Sequence, residues 1–297
     1  MSLGLVMFKK KVVSQIISYI ESNIDIQIRI EDIASHSGFS RRYVQIIFKE
    51  LIGIPIGKYL RTRRMMKAAT LLRLTNTPII QIAYLLHFDS QQTFTREFKK
   101  ITGHTPLQYR KTKVWYLDIY RLPGFSDAIT PVKPVLCSLL GGVIAGYKIC
   151  YDEPIPCPRI MGEFRWDNIV RFKQRQQQNI WLLTEFNASK RTLHTMSVNT
   201  TIGIFSDNDN DNDNDTGFYE YPNGLYAVFS FNGTRDEYHQ RIKDIYYKNL
   251  PFWGYNRRQG PDVECFYHID YSGGGRIICD TYVPIQTKDN DTCYNHP

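Results

Sequence analysis

The chain has 297 residues, with 37 Lys and Arg against 29 Asp and Glu, a formal net charge of +8. That length exceeds one typical domain and suits two, and 42% hydrophobic with 22% charged residues excludes a chain disordered throughout. No stretch approaches the ~18 apolar residues of a membrane span, and the run Leu5–Phe8 is too short for an export signal, so a cytoplasmic protein with no membrane contact and with reduced cysteines is expected. None of the six cysteines stands at CxxC spacing, and neither a metal site nor a cofactor is expected.

The charge is unevenly spread. Residues 1–113 hold 19 Lys and Arg against 7 Asp and Glu, and residues 114–297 hold 18 against 22. Aromatic residues shift the other way, 11 in the first part and 29 in the second. A basic head is the electrostatic footprint of a nucleic-acid binder; a basic soluble domain without that partner is the plainer alternative.

The head reads as helix after helix, beginning with Val12, Ile16, Ile17 and Ile20 at 3–4 spacing. It also matches itself. Ile33-Ala34 pairs with Ile82-Ala83 and Phe39 with Phe88, each 49 positions apart. Ser40, Phe48-Lys49, Gly53 and Tyr59 pair with Ser90, Phe98-Lys99, Gly103 and Tyr109, each 50 apart, with Asp89 inserted at the turn. Each copy predicts a helix-turn-helix: a short helix with Ile-x-x-Ile-Ala, a tight turn, a serine N-cap and a second helix. Gly38 takes a positive φ freely at the first turn, whereas His87 in the second must bear strain there or use another geometry. The second helices bury Val44, Ile47 and Phe48, or Phe94 and Phe98. Their opposite faces carry Arg41, Arg42, Gln45 and Lys49, or Gln91, Gln92, Thr95, Arg96 and Lys99. Glutamine and arginine match base edges in the major groove. Solvated polar faces are the alternative, and it weakens when the pattern repeats at matched positions. Between the copies, Ile56–Leu74 predicts one long helix, with Arg61, Arg63, Arg64, Lys67 and Arg73 exposed. Its length of roughly 30 Å approaches one turn of B-DNA, so two reading helices on one chain suit adjacent major-groove segments.

From Lys9 to Lys113 the chain resembles the DNA-binding domain of the AraC/XylS transcription activators, in the Rob, MarA and SoxS branch. The likeness is densest at Phe88-Asp-Ser-Gln-Gln-Thr-Phe-Thr-Arg96. It implies base-facing roles for Gln91, Gln92, Thr93 and Arg96, and in the first copy for Arg42, Gln45 and Ile46. Only Gln45 keeps the family's residue there. The family usually has Trp where this chain has Arg42 and Arg where it has Ile46, and the missing arginine removes a guanine reader worth roughly 1–3 kcal/mol of discrimination.

After Lys113 short β-prone runs replace helices. Candidate strands are Gly142–Ile149, Thr195–Ile204, Gly224–Phe231 and Arg276–Ile285, and candidate helices are Trp166–Leu183 and Thr234–Lys248. Strand–helix–strand–strand order, twice over, predicts an α+β domain with a mostly antiparallel sheet and helices on one side. The expected domains are 1–113, a linker at 114–134 that includes the Pro-rich Arg121–Pro134, and 135–290. The run Asp207–Asp215 of alternating Asp and Asn is a self-repelling loop, and Gly217 falls one place late for a calcium loop. Aromatics gather around isolated acids: Trp253, Tyr255, Tyr267, Tyr271 and Tyr282, with Asp280 inside an apolar strand. Either a cationic or amphipathic ligand neutralises Asp280 among these rings, or the rings are core and Asp280 faces water.

From Gly224 to Ile285 the chain is similar to the GyrI-like effector-binding domains. The likeness rests on Arg257-Arg258-x-Gly260-x-Asp262-x-Glu264 and on the closing Cys-acid-x-x-x-Pro-Ile. It implies two strand–helix–strand halves around a pocket with a central acid, placed at Asp280. Both resemblances together imply a non-enzymatic activator of stress and multidrug-resistance promoters that binds double-stranded DNA as a monomer and recruits RNA polymerase. A small-molecule hydrolase and a low-specificity DNA-architectural protein are the alternatives.

Overall fold

In a computed structural model of the chain, residues 3–121, 131–155, 162–206, 217–270 and 275–287 are described. The Asp207–Asp215 run, Tyr271 and most of the Pro-rich stretch lie outside them. The chain divides into two compact units, one mainly Met1–Leu72 with Thr77–Arg110 and one mainly the residues from Pro131 onward.

The first unit contains α1 (Leu3–Ser22), α2 (Ile30–Ser37), α3 (Arg41–Ile52), α4 (Ile56–Leu74), α5 (Ile79–Leu85), α6 (Gln91–Thr102) and α7 (Pro106–Lys111). The long central helix forms over the residues its pattern predicted. Val12, Ile16 and Ile20 of α1 pack on Ile33, Val44, Ile47, Phe48 and Tyr59 in one core. The duplication is visible in the packing itself. Phe48 meets Tyr59 edge to face with ring centroids 5.3 Å apart, and Phe98 meets Tyr109 in the same way at 5.3 Å. All four rings are fully buried, and edge-to-face pairs add about 0.5–1.5 kcal/mol each beyond area burial.

The two turns solve one geometry differently. Gly38 has φ 74°, and His87 has φ 60°, alone among the described non-glycine residues in being positive. An imidazole in the left-handed region is strained, and the His87 Nε2–H donates to the Asp25 carbonyl oxygen at 2.9 Å, which helps to hold it.

The second unit contains β1 (Val135–Leu139), β2 (Gly142–Pro154), α8 (Glu163–Gln174), β3 (Ile180–Ala188), β4 (Thr195–Phe205), β5 (Gly217–Tyr221) and β6 (Gly224–Gly233). There follow α9 (Arg235–Asp244), a π-helical turn at Ile245–Asn249, α10 (Leu250–Trp253), β7 (Asn256–Arg257), β8 (Asp262–Ile269) and β9 (Ile277–Gln286). The four candidate strands are β2, β4, β6 and β9, with shifted ends. Thr234 caps α9, its hydroxyl accepting the Glu237 N–H at 3.4 Å.

One expected helix is corrected. The Trp166–Leu183 segment stops being helical at Gln174, and Ile180 opens β3. The glutamine run at 176–178 offers no apolar stripe to hold a helix down, and Ile180 and Leu182 are fully buried between β8 and β4. The Lys173 ammonium donates to the Gln178 carbonyl at 2.7 Å across the turn between them.

All the paired strands are antiparallel, in the order β1-β6-β9-β8-β3-β4-β2-β5, with β7 beside β9. Within it, β2-α8-β3-β4 and β6-α9-β8-β9 are two equivalent halves. Each half places its first strand outermost, its last in the middle and its second at the join. The halves meet where β3 pairs with β8, Thr184 opposite Asp262 and Leu182 opposite Glu264. Side chains of both helices pack on the same face, Trp166, Ile169 and Tyr238 sharing a core with Leu182, Phe266 and Cys279.

Candidate nucleic-acid interface and small-molecule cavity

In the first unit, α3 starts at Ser40, whose Oγ accepts the Tyr43 N–H at 3.3 Å, and α6 starts at Ser90, whose Oγ accepts the Thr93 N–H at 3.1 Å. Each ends at a glycine with φ 78°, Gly53 or Gly103. Identical caps fix both helices at the same length, and the buried stripes fix their rotation. Arg41, Arg42, Gln45, Ile46 and Lys49 are therefore exposed on α3, and Gln91, Gln92, Arg96 and Lys99 on α6. Thr93 departs from this. It is half-buried and its Oγ1 accepts the Ser90 hydroxyl at 3.1 Å, so it braces the cap as well as flanking the exposed face.

Arg41 pairs with Glu31 at 2.6 Å with both side chains largely exposed, an ion pair too wet to add much stability. Hydrogen bonding to its backbone, and then Arg41, holds the Glu31 carboxyl below its ordinary range. Ile46 stands 54% exposed on the outward face, where its methyls can meet a thymine methyl and no polar base edge. On α4 the sequence expectation needs correcting. Arg61 is exposed, 3.7 Å from Glu97 of α6, but Arg63, Arg64, Lys67 and Arg73 are half-buried. Arg63 and the Tyr59 hydroxyl bind Glu21, and Lys67 binds Asp25. Charge that looked free on a helical wheel ties α4 to the end of α1 and the loop after it.

In the second unit a cavity lies on the helix-bearing face at the join of the halves. Its lining includes Arg165 and Trp166 of α8, Tyr238 and His239 of α9, Thr184 of β3, Asp262 and Glu264 of β8, and Thr281 of β9. About 50 Å³ is open to the centres of water-sized molecules, room for a few waters or a small ligand body. Glu264 is 3% exposed and Arg165 12%, and the two form an ion pair. The Arg165 guanidinium also donates to Tyr238 at 3.0 Å, Thr184 at 3.2 Å and Thr200 at 3.3 Å. The Tyr238 hydroxyl donates to the other carboxylate oxygen of Glu264 at 2.5 Å. Burial works against the Arg165 charge, yet Glu264 and the tyrosines around it outweigh burial and push its pKa up. Two residues earlier on β8 the arrangement repeats. Asp262 receives Arg257 at 2.9 Å together with the Tyr246 hydroxyl, which the π-helical turn carries.

The five residues expected around the ligand fall elsewhere. Asp280 and Tyr282 lie on the face of β9 opposite Thr281, because side chains alternate along a strand. Tyr267 donates to Asp280 at 2.7 Å, and Tyr282 stacks on Trp181 with centroids 6.4 Å apart. These three gather on that other face without lining the cavity. Trp253 bonds the Val132 carbonyl at 3.1 Å, and Tyr255 follows it, both away from the cavity lining. The acids at the cavity are Asp262 and Glu264, and Arg165, Trp166, Tyr238 and Thr281 had gone unnoticed. The signal was the Asp262-Val-Glu264-Cys-Phe strand, with acids two apart on one face. Among the described residues no group of three or more His, Cys, Asp or Glu is placed to hold a metal, and no helix is long and apolar enough to cross a membrane.

Two turn-helix units with capped second helices and exposed Arg and Gln side chains on their outer faces place the head in the helix-turn-helix class. Comparison with known proteins narrows this further. Residues 33–112 match the helix-turn-helix domain model and residues 163–286 the GyrI-like small molecule binding domain model. The chain is 36% identical to the F1 operon positive regulatory protein of Yersinia pestis over 95% of its own length and 91% of that protein. It is 28% identical to the right origin-binding protein of Escherichia coli over 93% and 98%. Over 39% of its length, and 85% of the other, it is 38% identical to the HTH-type transcriptional activator AarP of Providencia stuartii. The chain belongs to the AraC/XylS family of DNA-binding transcription regulators and carries a GyrI-like C-terminal domain.

Proposed function

We propose that the protein is a cytoplasmic transcription activator that reads two adjacent major-groove segments of promoter DNA as a monomer, through α3 and α6, and recruits RNA polymerase. Its second unit senses a small molecule. Control of stress and multidrug-resistance promoters belongs to this reading by family resemblance. The observation that carries it is the matched pair of reading faces: two helices of the same length, each capped by serine and closed by glycine, present Gln45 with Arg42 and Gln91 with Gln92 and Arg96. One chain thus supplies what a symmetric regulator obtains from two. The name of the Yersinia relative, a positive regulator, supports activation.

Lys and Arg contacts to phosphate position the head, and Gln and Arg specify. A hydrolase would need a carboxylate free to act as base, and both acids of the cavity are engaged by an arginine and a tyrosine. The test is selection of binding sites from random duplexes with the full chain, followed by sizing of the complex. One protein per duplex is expected, with Arg96→Ala losing roughly 1–3 kcal/mol at a single base position. A strictly dimeric complex, or equal competition by random DNA, overturns the reading.

A further inference from the structure

The cavity acid already has a cation. We propose that Arg165 is the built-in counter-ion of the second unit's cavity, so that this chain selects small uncharged hydrogen-bonding molecules with an apolar body and rejects organic cations. The inference rests on reading that cavity as a ligand site.

Three observations carry it. First, Glu264, the acid where the two halves meet, is saturated from within: one oxygen holds the Arg165 guanidinium and the other accepts the Tyr238 hydroxyl. Second, the neighbouring acid Asp262 is matched in the same way by Arg257 and Tyr246. Neither carboxylate offers an unpaired charge, and an incoming cation would have to displace an arginine held by four partners. Third, two residues of the lining carry buried polar atoms without hydrogen-bond partners, Thr281 Oγ1 and His239 Nε2. Thr281 is 1% exposed and lies opposite Glu264 on β9. Burial, then Arg235 and Arg165, lower the His239 pKa. A buried hydroxyl without a partner costs free energy until a ligand or water supplies one. An uncharged ligand bearing a hydroxyl can supply that partner, and the rings of Trp166 and Phe186 in the lining suit an apolar body.

The test compares three probes that share a phenyl ring: benzyl alcohol, benzyltrimethylammonium and phenylacetate. Binding to the full chain is followed by ligand-observed NMR. The wild-type protein is expected to prefer benzyl alcohol over benzyltrimethylammonium by at least about tenfold, a difference of ~1.4 kcal/mol. Arg165→Met exposes Glu264 and should gain benzyltrimethylammonium binding by about the same factor, and Glu264→Gln, which strands Arg165, should gain phenylacetate instead. Should Arg165→Met fail to fold, the wild-type preference and the Glu264→Gln arm decide. Wild-type protein that binds the cation as tightly as the alcohol, or a folded Arg165→Met that gains nothing for it, overturns the counter-ion role and leaves the cavity as a ligand site. If no probe binds any of the three proteins, the reading of the cavity as a ligand site fails instead.

Discussion

Removing Arg165 should strand a carboxylate in the interior, and the size of the loss follows from how completely the pair is enclosed. Glu264 is 3% exposed and Arg165 12%, so solvent screens neither. Deleting one partner of such a pair costs about 3–5 kcal/mol, whereas replacing both by neutral groups of similar shape is often close to neutral. Arg165→Met leaves Glu264 with Tyr238 alone and also empties the donors to Thr184 and Thr200. At ~2–4 °C per kcal/mol for a unit of this size, the single variant should melt roughly 6–20 °C below wild type. The double variant Arg165→Met/Glu264→Gln should recover most of that difference. Acid should also shrink the deficit of the single variant, since a neutral carboxylic acid loses less on burial than a carboxylate. The assay is thermal unfolding followed by tryptophan fluorescence. All four tryptophans, Trp115, Trp166, Trp181 and Trp253, lie beyond residue 113, so the signal reports the second unit and the helical unit stays silent. Equal destabilisation of the single and the double variant would mean that the charges are uncoupled, and the electrostatic account would be wrong.

Two further outcomes follow from turn geometry and from burial. No atom lies within 4 Å of a Cβ added at Gly38, yet its φ is +74°, so Gly38→Ala should cost about 1 kcal/mol of purely conformational strain. His87→Gly should be nearly neutral, relieving similar strain but losing the bond to the Asp25 carbonyl, worth about 0.5–1.5 kcal/mol; His87→Ala keeps the strain and should destabilise. Melting followed by helical circular dichroism ranks the three, and a stabilised His87→Ala would contradict the assignment. Burial pushes the thiol of Cys279 up to about 12 and that of Cys265 up to about 11, while Cys150 is exposed. Alkylation of the native protein near pH 8, mapped by mass spectrometry, should therefore modify Cys150 and spare the other two. Labelling of Cys265 at the rate of Cys150 would show that β8 opens.

The head was legible because its signals are local: the matching residues of the two copies, the serine caps and the glycine stops all act within a few positions. The strands announced by Gly142 and Gly224 were legible for the same reason. Ile180-Trp-Leu-Leu183 was not, because a short apolar run fits a buried strand or the tail of an amphipathic helix, and pairing with β8 decided between them. The cavity was illegible for a stronger reason. Arg165 and Glu264 stand 99 positions apart and meet only once both halves have folded. Asp280 and Glu264 look alike in sequence, each an acid in an apolar strand. What separates them is the face of the sheet that the helices cover, and strand alternation shows only that Asp280 and Thr281 must take opposite faces.

Both units are duplications, and each uses its symmetry differently. In the head the copies stand in tandem, and each keeps a complete turn, cap and outward face. Either copy can therefore change without dismantling the other, and they have changed: Gly38 answers to His87, and α3 carries Ile46 where α6 carries Arg96. If the chain binds DNA as the proposed monomer, two unlike faces match an asymmetric site in one direction only, and the copies' divergence sets its orientation. In the second unit the halves close on each other through β3 and β8, and the site exists once, on the join. There α8 supplies Arg165 and α9 supplies Tyr238 to Glu264, and Trp166 and His239 join them in the lining. A perfectly symmetric join would bring two like groups together at its axis, two carboxylates or two guanidiniums, and burial would penalise either. Placing an arginine in one half against a carboxylate in the other removes that conflict, and under the proposed counter-ion role the same asymmetry would select the ligand.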